Sequence, residues 1–198
     1  KWLYRYVKID FSIGNYSDVL EASQDLIALI EDDIKSPYRD VYRYMFDTYE
    51  RLEKNESMIK AIAKIETFYG LDYLDIERYV SVMSIGSKRK DNNIIINYAT
   101  KVMDIQKSSN SSAQSPYVEF TLYQAYIDIK DYLKALDVIQ SLDSVVLTKT
   151  ARARQKDLLG NIYTKMWRDD EAKLAYEESI QADSSSAWAE LAQSAMGI

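Results

Sequence analysis

Apolar side chains recur at every third or fourth position over most of the chain, which is the period of an α-helix with one buried face. The stretch "DLLGNIYTKMWRDDEAKLAYEESIQ" displays this period most clearly. Two amphipathic segments flank the polar sequence "RDDEA", which supplies a turn and an acidic start for the second helix. The whole chain contains only five glycines and two prolines, so few residues favour the tight turns of a β-rich fold. The pattern predicts an all-α protein of long helices with short connections.

This helix-turn-helix pattern repeats along the chain. In the quoted stretch, Gly160 and Ala172 are the small residues at which two paired helices would approach most closely. Four earlier segments follow the same pattern with bulkier residues at several of these positions. The residues that correspond to Ala172 are separated by 39, 37, 40 and 37 positions, which predicts five helix pairs of similar length. In chain order they are Val19, Met58, Ile95, Ala135 and Ala172.

The pattern resembles the tetratricopeptide (TPR) repeat, whose units of about 34 residues each form two helices. The resemblance implies a right-handed α-α superhelix of about five helix pairs, with a more general α-α superhelix as the neighbouring alternative. The segment "SSSAWAELA", which contains Trp188, fits one further helix that would close the array as a solvating helix. We expect residues 1–198 to form a single solenoid. Since the chain starts at Lys1 instead of Met, we also expect it to be part of a longer protein.

Residues 107–115, "KSSNSSAQS", interrupt the apolar pattern between the third and fourth pairs. A polar, serine-rich stretch of this kind is typical of a flexible loop or of a hinge. The apolar pattern resumes at Tyr117, which favours the loop.

Charge and hydropathy exclude several classes of partner. The net charge is −6 with a pI near 4.9, and acidic and basic residues alternate, so we expect no binding to nucleic acid. The one basic cluster, at residues 88–90, is interpreted as the cationic C-terminal end of a helix. No apolar run approaches the roughly 20 residues of a membrane-spanning helix, so we expect no insertion into a membrane.

The residue content of the chain does not support a catalytic or cofactor-binding role. The chain has no histidine and no cysteine, so it lacks an imidazole base, a thiolate nucleophile and the ligands of a structural zinc site. The glycines do not form a phosphate-binding loop, and no calcium-loop spacing occurs. We therefore predict a protein that is not an enzyme and that has no catalytic residues, cofactor or metal.

The TPR resemblance implies a binding surface on the concave side of the array. The corresponding positions do not reproduce the basic clamp with which one TPR subclass grips a terminal carboxylate. They offer instead a mixed surface with aromatic and arginine residues, which suits a helix or an extended segment of a partner protein. The predicted partner-binding residues are Arg43, Asp47, Tyr117, Phe120, Gln124, Arg154, Asp157 and Asn161.

The predicted function is that of a non-enzymatic scaffold which binds a partner protein within a larger assembly. One alternative is a regulatory or sensor module that binds a peptide signal and bends at residues 107–115. A second alternative is a helical carrier or enzyme domain of non-TPR topology. Three N-x-S triplets occur, and the one at Asn55 has an acid two positions earlier, as bacterial N-glycosylation requires. This slightly favours the bacterial periplasm over the cytoplasm, as in a flagellar motor or a secretion machine.

The N-terminal edge is the second predicted contact surface. It opens with the sequence "WLYRY" at residues 2–6, which begins abruptly where a preceding repeat would otherwise pack. Self-association through this edge is one possibility, and the alternative is that preceding helices of a longer protein cover the edge.

Overall fold

The computed structural model describes residues 1–31, 33 and 35–197. All regular elements in these residues are helices, as predicted, and they include short 3-10 turns at Tyr73–Asp75 and Leu142–Ser144. No described helix is both long and apolar enough to cross a bilayer. The α-helices are α1 (Trp2–Ile13), α2 (Tyr16–Ile30), α3 (Val41–Arg51), α4 (Asn55–Tyr69), α5 (Ile76–Arg89), α6 (Asn92–Ser108), α7 (Tyr117–Asp128), α8 (Tyr132–Ser141), α9 (Lys149–Lys165), α10 (Asp169–Ala182) and α11 (Ala187–Met196).

One kind of turn joins the two helices of every pair. A residue just past the first helix adopts the left-handed conformation, with φ between 54° and 80°. The next residue donates its backbone N–H to the carbonyl five positions earlier, at 2.8–2.9 Å. This closure satisfies carbonyls that the end of the helix would otherwise leave unpaired. The left-handed residues are Gly14, Glu53, Lys90, Lys130 and Trp167.

The predicted register of the five second helices is confirmed. Each residue that was aligned with Ala172 is the fourth residue of its helix and is buried. Each also donates its N–H to the carbonyl of the residue just before the helix, at 2.9–3.1 Å. The repeat therefore recurs with the same backbone geometry at all five turns.

The described chain divides into two compact units, residues 1–85 and 86–198, with the boundary inside α5. The single solenoid over residues 1–198 stays a prediction. In the first unit, the side chains of Val7, Val19, Phe46 and Ile62 are fully buried.

Tyrosines fill much of the remaining space in the first unit. The ring of Tyr42 stacks on Phe68 with 4.8 Å between centroids. Tyr44 contacts Tyr4 and Phe11 edge-on, at 6.2 and 5.5 Å. These contacts pack the helices of the first unit against one another through their aromatic rings.

The second unit is packed most closely between α9 and α10. Gly160 lies against the ring of Tyr176, and a Cβ atom at this position would overlap that ring. Buried Ser179 of α10 donates its hydroxyl to the carbonyl of Ala153 in α9, at 2.8 Å. The closing helix α11 contacts both helices and buries Ala192 completely. The small residues therefore occupy the close approach that their sequence pattern indicated.

The serine-rich segment is organised by one buried side chain. Gln106, in the last turns of α6, accepts a hydrogen bond from the N–H of Gln114 at 2.7 Å. It also donates its amide to the hydroxyl of Ser115 at 3.3 Å. Residues 107 and 108 belong to α6 itself, and the loop follows them. Flexibility or hinge motion of residues 107–115 stays a prediction.

Candidate functional site

A groove of about 550 Å3 follows one face of α7 in the second unit. The α7 residues that line it recur with helical spacing between Tyr117 and Asp128, so they share one side of the helix. The turn between α5 and α6 forms one flank of the groove, and Arg154 of α9 forms another. We call this site the α7 groove. The residues on which the argument below depends are Lys90, Tyr117, Phe120, Gln124, Asp128 and Arg154.

Arg154 is held between two aromatic rings. The central carbon of its guanidinium lies 4.1 Å from the ring centroid of Phe120 and 5.0 Å from that of Trp188 in α11. Such contacts stabilise a cation through the negative face of the ring. They also fix the side chain at the edge of the α7 groove.

The cation of Arg154 has no carboxylate to neutralise it among the described residues. Its buried Nε atom has no hydrogen-bond partner there, and burial lowers the pKa of the guanidinium. A guanidinium nevertheless stays charged at physiological pH. The groove therefore presents a positive charge beside an aromatic surface, a combination that suits a carboxylate of a partner.

The rest of the α7 groove is apolar with a polar far end. Tyr117 is 49% exposed at the start of α7, whereas Phe120 is nearly buried beneath it. Gln124 donates its amide to Asp128 at 2.8 Å, so these two polar groups are already paired. Tyr117, Phe120, Gln124 and Arg154, all predicted from the sequence, are thus brought together in one groove.

Asp157 and Asn161 lie further along α9 and are engaged inside the second unit. Asn161 donates to one carboxylate oxygen of Asp157 at 2.9 Å and accepts from the hydroxyl of Tyr176 at 3.2 Å. Asp157 is 2% exposed, and its other carboxylate oxygen is buried without a partner among the described residues. Burial raises the pKa of Asp157 to about 6. The predicted role of these two residues in partner binding stays a prediction.

Arg43 and Asp47 belong to an ion network in the first unit. Arg43 reaches the fully buried carboxylate of Asp75 at 2.5 Å, and Arg78 reaches the same carboxylate at 2.7 Å. Arg78 also pairs with Asp47 at 2.8 Å. The guanidinium of Arg43 further lies 3.8 Å from the ring centroid of Tyr69. Both predicted residues therefore already have partners within the fold.

Sequence reasoning missed three residues that shape these sites. Lys90 was interpreted only as part of a helix end, yet it is the left-handed turn residue that flanks the α7 groove. Trp188 was recognised as part of a closing helix but not as a neighbour of Arg154. Asp75 gave no signal, because an acidic residue is usually exposed. Among the described residues, no group of three potential ligands could hold a metal ion.

Comparison with known proteins gives structural matches only. No protein-family model and no curated protein matches the sequence. The solved structure of YrrB, described as a TPR protein with an unusual peptide-binding site, matches with a TM-score of 0.60 and 10% identity, covering 99% of this chain and 91% of that one. MamA matches with a TM-score of 0.58 and 12% identity over 92% and 90%.

A third match identifies the type of repeat. The TPR-like repeats of a kinesin light chain from Podosopora anserina match with a TM-score of 0.52 and 13% identity, covering 93% of this chain and 96% of that one. The chain has a TPR-like fold. Because all these identities are low, the likeness extends to the fold alone.

Proposed function

We propose that the chain is a non-enzymatic protein-interaction scaffold whose partner lies in the α7 groove. The observation that carries this proposal is Arg154, a cation placed between two rings with no carboxylate of its own among the described residues. A cation that the fold orients without neutralising is free to pair with an acidic group of a partner. Arginine and aromatic residues are also the side chains that contribute most to protein interfaces.

The groove has dimensions suited to a short segment. From Tyr117 to Asp128, α7 rises about 17 Å, which matches roughly five residues of extended chain or three helical turns. An apolar side chain would contact Tyr117 and Phe120, and an acidic group would bond to Arg154. The fold likeness to YrrB, which is described as having an unusual peptide-binding site, supports a peptide as the ligand class.

A selection from a random peptide library would test this proposal. Peptides would be selected on the intact chain alone, and their affinities would then be measured for Arg154→Glu and Phe120→Ala. We expect enriched peptides to combine an acidic residue with an apolar one, and to bind each variant at least about tenfold more weakly, because both contacts lie in the groove. The matched control is Lys149→Glu, the same charge reversal at an exposed position of α9. Peptides that bind all four proteins equally would contradict the proposal.

We further propose that this partner belongs to a bacterial periplasmic assembly, such as a flagellar motor or secretion machine. The supporting observation is the triplet at Asn55, which follows an intra-pair turn whose exposed left-handed residue is Glu53, the acid that bacterial glycosylation requires. Mass spectrometry of the protein from its native host would test the location. A glycan at Asn55 is expected, whereas an unmodified protein recovered with the cytoplasmic fraction would contradict it.

A further inference from the structure

Helix α1 carries an exposed apolar stripe along its whole length. Trp2, Tyr6, Ile9 and Ile13 are 72%, 57%, 57% and 69% exposed. Their separations of four, three and four residues place them on one side of the helix, with the period of a coiled-coil seam. Single exposed apolar residues are common, but four in this register form a continuous surface.

The opposite side of α1 is the one that packs into the first unit. Val7 is fully buried. Tyr4 lies 5.4 Å from Tyr38, and Phe11 lies 5.5 Å from Tyr44, measured between ring centroids. The core of the unit thus holds α1 as a helix and turns the stripe outward. A partner would meet a surface that is already ordered.

Charges of opposite sign flank the stripe. On one side lies Arg5, which contacts the ring of Trp2 at 5.3 Å. On the other side, a depression of about 290 Å3 between α1 and α2 is lined by apolar Leu3 and Tyr6 and by four carboxylates. These carboxylates belong to Asp10, Asp18, Glu21 and Asp25. The surface is therefore basic on one flank and acidic on the other.

We propose that the occupant of this stripe is a second copy of the chain, with the two α1 helices parallel about a two-fold axis. In coiled-coil terms, Tyr6 and Ile13 take the a positions, and Trp2 and Ile9 take the d positions. Arg5 then takes a g position and Asp10 the following e position. Parallel helices bring these two together across the interface, so Arg5 of each copy faces Asp10 of the other.

The charges beside the stripe favour a second copy of the chain as the occupant and a parallel direction for the two α1 helices. In the parallel pair, the basic flank of each copy meets the acidic depression of the other, so one surface complements itself. An antiparallel pair with the same four seam residues in register would place Arg5 opposite Ser12 and Asp10 opposite Leu3, so neither charge would meet its complement. The parallel arrangement is the one that the charges favour.

The expected dimer is weak. Helix α1 has twelve residues, about 18 Å, and four side chains form the seam. A contact of this size falls in the class of small, transient interfaces, for which we expect a Kd in the micromolar range. The proposal does not involve the α7 groove, which lies entirely in the second unit.

Sedimentation velocity of the 198-residue chain, from about 1 µM to about 1 mM, brackets the expected Kd. We expect a monomer-dimer equilibrium that Ile9→Asp abolishes, because a charge would enter the seam. Leu133→Asp is the matched control, since Leu133 is an exposed apolar residue of α8 in the second unit, at 67% exposure. Circular dichroism would verify that the variants remain helical. A chain that is monomeric throughout, or a dimer that Ile9→Asp leaves unchanged, overturns the proposal.

Charge reversal tests the direction of the helices. Arg5→Glu and Asp10→Arg should each weaken the dimer about tenfold, since each reversal creates two repulsive pairs. The doubly substituted chain, and an equimolar mixture of the two single variants, should regain wild-type affinity. Loss without recovery, or no loss, overturns the parallel arrangement. Peptide binding should persist in Ile9→Asp and dimerisation in Arg154→Glu, so failure of one proposal is distinguishable from failure of the other.

Discussion

Asp157 is a carboxylic acid that the fold withdraws from water. Burial raises its pKa from the ordinary value of 3.8 to about 6. Between these values the folded chain keeps a proton that the unfolded chain releases. The stabilising contribution of the protonated acid is therefore complete below about pH 4 and is lost as the pH rises through 6. The neighbouring titratable groups, Tyr123 of α7 and Tyr176 of α10, have raised pKa values and are neutral over this range.

The variant Asp157→Asn should remove this pH dependence. Since the amide never ionises, we expect the free energy of unfolding to rise by about 1–3 kcal/mol at about pH 8 and to stay unchanged at about pH 4. Thermal unfolding at both pH values would measure the difference. Asp137→Asn, at an exposed position of α8, is the control and should have little effect at either pH. Equal stabilisation at the two pH values would show that the buried charge is not the cause.

The residues that could be predicted from the sequence are those with a local pattern. The five turns and the fourth residue of each second helix follow from apolar periodicity, which depends on neighbours three and four positions away. The groove residues on α7 could be predicted for the same reason. The network around Asp75 could not, because Arg43 lies 32 residues away and the pair forms only when α3 and the 3-10 turn before α5 are placed together. Burial of Asp157 and the contact between Arg154 and Trp188 likewise depend on tertiary packing.

The turn within each helix pair requires one residue in the left-handed conformation. At most of these turns that residue is not glycine. Trp167 occupies this position at φ 60° and is 89% exposed, so its ring gains little from packing. A side chain in this conformation costs roughly 1 kcal/mol relative to glycine. The turn keeps this left-handed conformation whichever residue occupies the position, so any residue other than glycine there carries the conformational cost.

Replacing Trp167 by glycine should therefore stabilise the second unit by about 0.5–1 kcal/mol. Urea denaturation would measure the gain. Met166→Gly is the control, because Met166 has φ −95° and gains nothing from the freedom of glycine; it should destabilise. Destabilisation by Trp167→Gly would mean that the exposed indole makes a stabilising contact and that backbone strain is secondary.

The two compact units divide the proposed activities. The stripe on α1 lies in residues 1–85, and every residue that lines the α7 groove lies in residues 86–198. Separate placement would allow one chain to contact a second copy and a different partner at the same time. That is the minimal property of a scaffold.

The second unit should accordingly retain peptide binding by itself. Residues 86–198 carry their own buried core, with Ala99, Val102, Leu122, Ile139 and Ile162 all inaccessible or nearly so. We expect this fragment to be helical by circular dichroism, to unfold cooperatively, and to bind a selected peptide within about threefold of the intact affinity, because additivity holds for separate sites. A folded fragment without affinity would place essential contacts in residues 1–85.

A double-mutant cycle between the chain and a selected peptide decides whether Arg154 receives an acidic group of the partner. Affinities would be measured by calorimetry for wild type and Arg154→Leu, each with the peptide and with its acidic residue replaced by the corresponding amide. We predict a coupling free energy above about 1 kcal/mol between Arg154 and the peptide carboxylate. A coupling near zero, with both single changes additive, would contradict the placement of the binding site at Arg154.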